Sequence, residues 1–180
     1  MPAPSDEELM LRVRDGDLGA FEQLVLRHQT EAWRVAYRFT GDTAEAEDLT
    51  QDAFLKILDA APRYRPTAAF RTYLYRVLTR LCFDHRRKKR PALADPFPNG
   101  VDDAPSPSQQ ADRAERDALI QIALNSLPAD YRMAVVLRYF EGLSGVQIAD
   151  AMGRSVKAVE RLLARAKSAL EPQLRNFLES

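Results

Sequence analysis

The chain has 180 residues, 46% of them apolar, with 26 basic and 26 acidic side chains and a net charge of zero, enough for one medium domain or two small ones with a buried core. No apolar run approaches the roughly 18 residues of a membrane span, so direct membrane insertion is not expected, and "MPAPSDEEL" lacks the basic and apolar regions of a signal peptide. A single cysteine, Cys82, excludes an intramolecular disulfide and a cysteine-based zinc site; the expected compartment is the cytoplasm.

Asp6 to Arg14 reads as a short helix ended by Gly16. A second helix follows, with Phe21, Leu24, Val25, His28, Ala32, Val35, Ala36 and Phe39 as its apolar stripe. Gly41 stops it, and Asp42 or Thr43 can cap the next. His28 and Trp33 are read as core or boundary packing rather than a site. The third helix, "TAEAEDLTQDAFLKILDAA", ends before Pro62. Its Leu49, Ala53 and Ile57 can pack inward, while Asp48, Gln51, Asp52, Leu55 and Asp59 line another face. Acidic and amide groups around one exposed leucine have the make-up of a protein-binding patch. They equally suit a solvated face with one stray leucine, and the pattern leaves both open.

The loop "PRYRPTAA" leads into "FRTYLYRVLTRLCFDHRRKKR", Phe70 to Arg90. Helical spacing puts Phe70, Leu74, Val77 and Leu81 on one face, directed at the core, and Tyr73, Arg76, Arg80 and Arg87 on another. Net neutrality hides how the charges are sorted. Met1 to Ala61 has 6 basic and 13 acidic residues, Pro62 to Pro91 has 10 and 1, Ala92 to Tyr131 has 2 and 7, and Arg132 to Ser180 has 8 and 5. Such a basic block suits nucleic acid, although solvated helix faces would look the same. Rings beside arginines suit a surface that stacks unpaired bases while neutralising their backbone; a duplex alone would need the charge but not the rings. Tyrosines packed at a core edge fit the residue types as well.

"ALADPFPNGVDDAPSPSQQAD", Ala92 to Asp112, reads as a flexible acidic linker. Beyond it a helix is expected near Ala111 to Ser126. Pro128 would occupy the first position of another, running to about Tyr139. Gly142, Gly145 and Gly153 punctuate shorter segments, and a last helix runs from about Ser155 to near Pro172. In "GVQIADAMGRSVKAVERLLARAKSAL", Ala149, Gly153 and Val159 have helix-turn-helix spacing: a small residue where two helices cross, a turn residue tolerant of positive φ, and an apolar anchor pointing back. Ile148, Met152, Val156 and Leu162 are the expected core around them, and Ser155 can cap the second helix. Lys157, Arg161 and Arg165 recur along one face, suited to a major groove or to solvent.

The expected fold is therefore all-α: two small helical domains, residues 1–91 and 113–180, joined by a flexible linker at 92–112. The second is a helix-turn-helix domain of winged-helix-like, four-helix type. No P-loop, glycine-rich dinucleotide turn or metal-spaced His or Cys cluster is present, so no catalytic residue, cofactor, metal or small-molecule substrate is expected. Asp48 and Asp52, spaced i,i+4, suggest no third metal ligand. His85 reads as an added phosphate donor and Cys82 as inert packing. On these grounds a stand-alone duplex-binding regulator that uses only the carboxyl motif remains a rival to a protein with two DNA surfaces.

Three stretches in order, "AEAEDLTQDAFLKIL", "FRTYLYRVLTRLCFDHRR" and "LPADYRMAVVLRYFEGLSGVQIADAMGRSVKAVERLLARAKSAL", resemble a bacterial RNA polymerase sigma factor of the extracytoplasmic-function group of the sigma-70 family. The resemblance spans about Glu7 to Leu170. It implies a non-catalytic specificity subunit that binds core RNA polymerase and directs initiation at promoter DNA. Asp48, Gln51, Asp52 and Leu55 would dock on the β′ clamp helices, with Phe54 in the core. Arg63, Tyr64, Arg65, Phe70, Arg71, Tyr73, Arg76, Arg80 and Arg87 would hold the melted minus-ten element. Arg154, Ser155, Lys157, Arg161 and Arg165 would read the duplex minus-thirty-five element, and the carboxyl lobe would also meet the β flap. An anti-sigma factor would regulate the whole. The chain departs from the family at Arg80, where another basic residue or an asparagine-type reader is common. Glu160 and Leu162 stand where basic residues are usual, and Tyr73 replaces a tryptophan.

Overall fold

The computed structural model describes residues 1–89 and 108–178. Four helices build the amino lobe: α1 (Asp6–Arg14), α2 (Leu18–Thr40), α3 (Thr43–Ala60) and α4 (Phe70–Lys89), with a short 3-10 turn, Ala61–Arg63, after α3. Their ends follow from local chemistry. Ser5 and Glu8 form a reciprocal capping box at α1. Asp17 accepts the Ala20 N–H at the start of α2, and the Arg12 guanidinium, 2.6 Å away, holds the Asp17 carboxyl below the usual carboxylate range. Gly41 ends α2 at φ 72°, a left-handed conformation that costs glycine little, and Asp42 caps α3 by accepting the Glu45 N–H at 2.9 Å.

The amino-lobe core gathers Leu9, Met10, Leu24, Phe39, Ile57, Phe70, Leu74 and Leu78. The expected inner edge of α4 needs correction. Leu78, Cys82 and Tyr75 are fully buried with Phe70 and Leu74, whereas Val77 and Leu81 are half-buried. The cause is a second neighbour. α4 packs against α2 and α3 on one side and a carboxyl-lobe helix on the other, so its covered sector is wider than one stripe predicts. Burial alone drives the Cys82 thiol far above its ordinary range, as suits inert packing.

The carboxyl lobe is α5 (Ser108–Asn125), α6 (Ala129–Val135) running into a π-helical turn (Val136–Phe140), α7 (Gly145–Met152) and α8 (Val156–Leu178). α5 begins at Ser108, inside the segment read as linker; residues 92–107 of that reading lie outside the described residues. Pro128 is the N-cap of α6 rather than its first helical residue. α8 continues through Pro172, where most of the helix surface is exposed, so water can take the Ser168 carbonyl that proline leaves unbonded. The helix-turn-helix forms as spaced: Gly153 turns at φ 64°, Ala149 and Val159 are buried, and Ser155 Oγ accepts the Ala158 N–H at 3.1 Å. Val156, expected in the core, is exposed at the rim beside Gly145, because it opens α8 before the helix turns inward.

The lobes pack on each other, α4 against α7 and α2 against α5 and the π turn, and their buried apolar side chains join in one cluster. Arg132 of α6 is 4% exposed and donates to three carbonyls: Phe39 at 2.6 Å, Asn125 at 2.9 Å and Leu127 at 3.0 Å. Two of these lie at or near the electronegative C-terminal ends of α2 and α5, one from each lobe. Burial, then Arg86, brings its guanidinium down to about 10, still charged at neutral pH. Arg38 of α2 lies 4.1 Å over the Phe140 ring. Among the described residues no helix is long and apolar enough to cross a membrane. Replacing Arg132→Met should lower unfolding free energy by about 1–3 kcal/mol, because buried carbonyls lose their donor; urea midpoints at unchanged m-value would measure it.

Candidate nucleic-acid interface

Burial of Leu49, Ala53, Phe54 and Ile57 turns the opposite face of α3 outward. Asp48, Gln51, Asp52 and Leu55 are all exposed there, Leu55 by 52%. Beside them runs an apolar groove of about 600 Å³ between α2 and α3, lined by Phe21, Val25, Trp33, Phe54, Leu55 and Gln51 among others. Sequence reasoning missed this groove. Its one signal was that Phe21 and Val25 sit at the border of the α2 stripe, where a side chain can be half covered. Asp48 and Asp52 gain no third ligand: among the described residues no group of three or more His, Cys, Asp or Glu could hold a metal ion.

The loop before α4 and the first turns of that helix enclose a small pocket of about 160 Å³, whose lining includes Arg63, Tyr64, Arg65, Thr67, Tyr73 and Arg76. Two residues assigned to strand contact are corrected here. Phe70 is fully buried, with its ring 5.3 Å from that of His28, and Tyr64 is only 6% exposed; apolar burial makes both supports of the surface rather than parts of it. Tyr73 remains half-exposed, its ring 5.5 Å from Tyr64 and 6.3 Å from Phe70. Burial raises the phenols of Tyr64 and Tyr73 above their ordinary values, so both stay neutral donors.

The arginines divide into two sets. Arg63, Arg65 and Arg80 are exposed and form no ion pair with any described residue; Arg87 is exposed but pairs with Asp84. Arg71 and Arg76 are engaged across the lobes. Arg71 Nη2 donates to the Glu141 carbonyl at 2.8 Å and to Glu141 Oε2 at 3.1 Å, and Arg76 Nη2 donates to Asp150 Oδ1 and Oδ2 at 2.7 and 2.6 Å. His85, expected to face phosphate, sits 3.2 Å from Glu45 of α3, which also takes Lys89.

The start of α4 is held from a distance. Glu7 Oε1 accepts the Phe70 N–H at 2.7 Å, so a carboxylate from α1 caps the positive end of the helix. Asp6 beside it bonds His28 and Arg27. No local pattern could announce this cap, which joins residues 63 positions apart.

On α8, Lys157, Arg161 and Arg165 are exposed at helical spacing, with Glu160 exposed between them and Leu162 buried. Leu162 is thus a core residue and not a candidate for base contact. Ser155 spends its hydroxyl on the cap, and Arg154 pairs with Asp130 at 2.6 Å.

The two lobes coincide with two parts of one family. Residues 24–92 match the model of Sigma-70 region 2, and residues 118–170 match Sigma-70, region 4. The chain is 34% identical to RNA polymerase sigma-H factor of Pseudomonas aeruginosa, over 96% of this chain and 95% of that one. It is also 34% identical to ECF RNA polymerase sigma factor SigE of Mycolicibacterium smegmatis, over 97% of this chain and 70% of that one. Its fold is similar to that of CnrH in complex with the cytosolic domain of CnrY, with a TM-score of 0.75, 28% identity and coverage of 96% and 99% of the two chains. It also resembles the fold of RpoE from Bartonella quintana, crystallised with the anti-sigma factor NepR (TM-score 0.69, 23% identity, 86% and 96% coverage). The chain belongs to the extracytoplasmic-function group of the sigma-70 family and is a sigma factor, which directs promoter-specific initiation of transcription. The family is one of non-catalytic RNA polymerase subunits, and a regulator built on the carboxyl motif alone would leave the region 2 match unexplained.

Removing the distant cap should be measurable. Glu7→Ala should cost about 1 kcal/mol by analogy with other N-cap losses, while Glu7→Gln, which keeps an acceptor, should cost less; urea denaturation of the three proteins gives both values.

Proposed function

We propose that this sigma factor docks the Asp48, Gln51, Asp52 and Leu55 face of α3 on the β′ clamp helices of core RNA polymerase, with the carboxyl lobe meeting the β flap. The single observation that most supports this reading is the exposed leucine with its acidic and amide rim bordering an apolar groove. An apolar centre inside a polar rim is the arrangement of a protein interface. The loop and α4 then hold the melted minus-ten strand. Arg63 and Arg65 neutralise phosphates, Tyr73 stacks a base at the pocket mouth, and Arg80 and Arg87 follow the backbone along the helix. Arg71 and Arg76 join them once released from the carboxyl lobe. The helix opening at Val156 enters the major groove of the minus-thirty-five duplex with Lys157, Arg161 and Arg165 at base edges or phosphates. Arg154 and Ser155 lie at its entrance.

Initiation needs no catalytic group, cofactor or small-molecule substrate from this chain, and the protein works in the cytoplasm, where polymerase and promoter are. An anti-sigma factor, as the RpoE structure contains, controls access to the polymerase-binding face. The two lobes act as separate DNA-binding domains, the carboxyl one beginning with α5 at Ser108.

Purified core enzyme with this protein should initiate at selected sites on the genomic template of its host; no selective transcript under any template would reject the reading. Leu55→Arg should weaken holoenzyme formation at least tenfold, or about 1.4 kcal/mol, while leaving the urea midpoint nearly unchanged because the side chain is exposed. Arg80→Ala should reduce permanganate reactivity of the opened promoter more than gel-shift affinity for its duplex. Arg161→Ala, in contrast, should alter base preference upstream by about 1–3 kcal/mol, read from a library of upstream elements.

A further inference from the structure

The strand-binding face of α4 is already occupied in this structure, by the protein's own carboxyl lobe. Glu141, in the turn after the π-helical segment, has a side chain only 6% exposed. Its Oε2 accepts a 2.6 Å hydrogen bond from Tyr75 Oη and the 3.1 Å bond from Arg71. Glu31 of α2 supports Arg71 from the other side at 3.5 Å. Burial first, then the bond to Glu141, raises the Tyr75 phenol far above its ordinary range, so it stays a donor. One helical step further, Asp150 of α7 presents both carboxylate oxygens to Arg76. Asp150 belongs to the first helix of the helix-turn-helix, so the two DNA-binding elements are tied together.

A carboxylate meets a guanidinium through the same pair of anionic oxygens that a phosphodiester offers. We propose that Glu141 and Asp150 form an internal latch that substitutes for strand phosphates on Arg71 and Arg76, so that the carboxyl lobe and the melted minus-ten strand compete for one surface. The inference rests on the assignment of that surface to the strand. It adds that the closed arrangement is written into this chain. Arg132 and the Arg38–Phe140 contact hold the lobes together beside the latch, and every group involved belongs to a single polypeptide. A partner that silences the protein then needs only to stabilise a closure that already exists. Core polymerase must spend part of its binding energy separating the lobes, which sets a threshold against strand binding by free protein.

The test uses the full chain with spin labels at Gln23→Cys and Lys167→Cys, both exposed and one in each lobe; Cys82 is buried and stays unlabelled. Pulsed dipolar spectroscopy on the free protein should give one narrow distance distribution, which Glu141→Gln with Asp150→Asn should broaden and lengthen. The same double variant should bind a short fluorescent single-stranded DNA of mixed sequence about tenfold more tightly if the wild type is nine-tenths closed. Exchanging the charges, Arg76→Glu with Asp150→Arg in the presence of Glu141, should restore a narrow distribution that Arg76→Glu alone loses, which separates a latch from general unfolding. A broad distribution in the wild type, or a narrow one in the double variant, overturns the latch whatever the DNA does. Opened lobes with no gain in strand affinity overturn the competition. If Arg80→Ala, outside the latch, also leaves that affinity unchanged, the strand-binding assignment itself is what failed.

Discussion

Helix α4 buries Phe70, Leu74, Leu78 and Cys82 in the core of the amino lobe, and that burial decides where every arginine on the helix points. Four turns of apolar contact leave the helix no freedom to rotate, since a rotation of one residue would expose leucines and bury guanidinium groups at several kcal/mol each. The basic side chains are therefore presented as a fixed array: Arg80 to solvent, Arg71 and Arg76 to the neighbouring lobe. Glu7 at the N-terminus and Glu45 near the basic tail hold the two ends of the same helix. For the proposed role in strand binding, such rigidity means that little of the binding energy is lost in ordering the protein side.

The zero net charge acquires a structural meaning in this light. Acids from one block of the chain sit against bases of another: Glu45 beside His85 and Lys89, Glu141 on Arg71, Asp150 on Arg76. These contacts are unequal. Arg76 and Asp150 are both about two-fifths exposed, and an ion pair in that setting contributes about 0–1 kcal/mol. Glu141 is nearly buried and accepts charge-assisted hydrogen bonds from two groups, each of a kind that contributes about 1.5–3 kcal/mol when it is lost. Glu141 is thus the stronger of these two carboxylate contacts, and Asp150 mainly adds orientation. An interface of this modest strength is one that binding to a larger surface can outweigh.

What could be read before the structure was whatever depended on near neighbours in the chain. The helix ends at Asp42 and Ser155 follow from side chains within three residues of the backbone groups they satisfy, and the end at Gly41 from a residue free to take a left-handed turn. The helix-turn-helix was legible because Ala149, Gly153 and Val159 meet within ten residues, and the outward face of α3 because helical period alone separates Leu49, Ala53 and Ile57 from Asp48, Gln51, Asp52 and Leu55. The misplacements have a common cause in distant packing. Val77 and Leu81 lost the inner edge of α4 to Leu78 and Cys82 because a helix from the other lobe covers α4 as well. Tyr64 moved from contact to support because aromatic rings in a basic stretch look alike whether they face solvent or core, whereas Phe70 lies in the core where helical spacing put it, against the contact role that the resemblance implied.

The sequence alone determined the all-helical composition, the order of the lobes, the helix-turn-helix and the sorting of charge, since each arises from residues within a few turns of one another. Only the tertiary structure decided which arginines stand free, which carboxylates hold the others, and that Glu7 and Arg132 secure helix ends that belong to distant parts of the chain. Those choices rest on groups from 63 to 93 positions apart meeting at hydrogen-bond distance. Local periodicity carries no record of such meetings, because they are set by how whole helices pack.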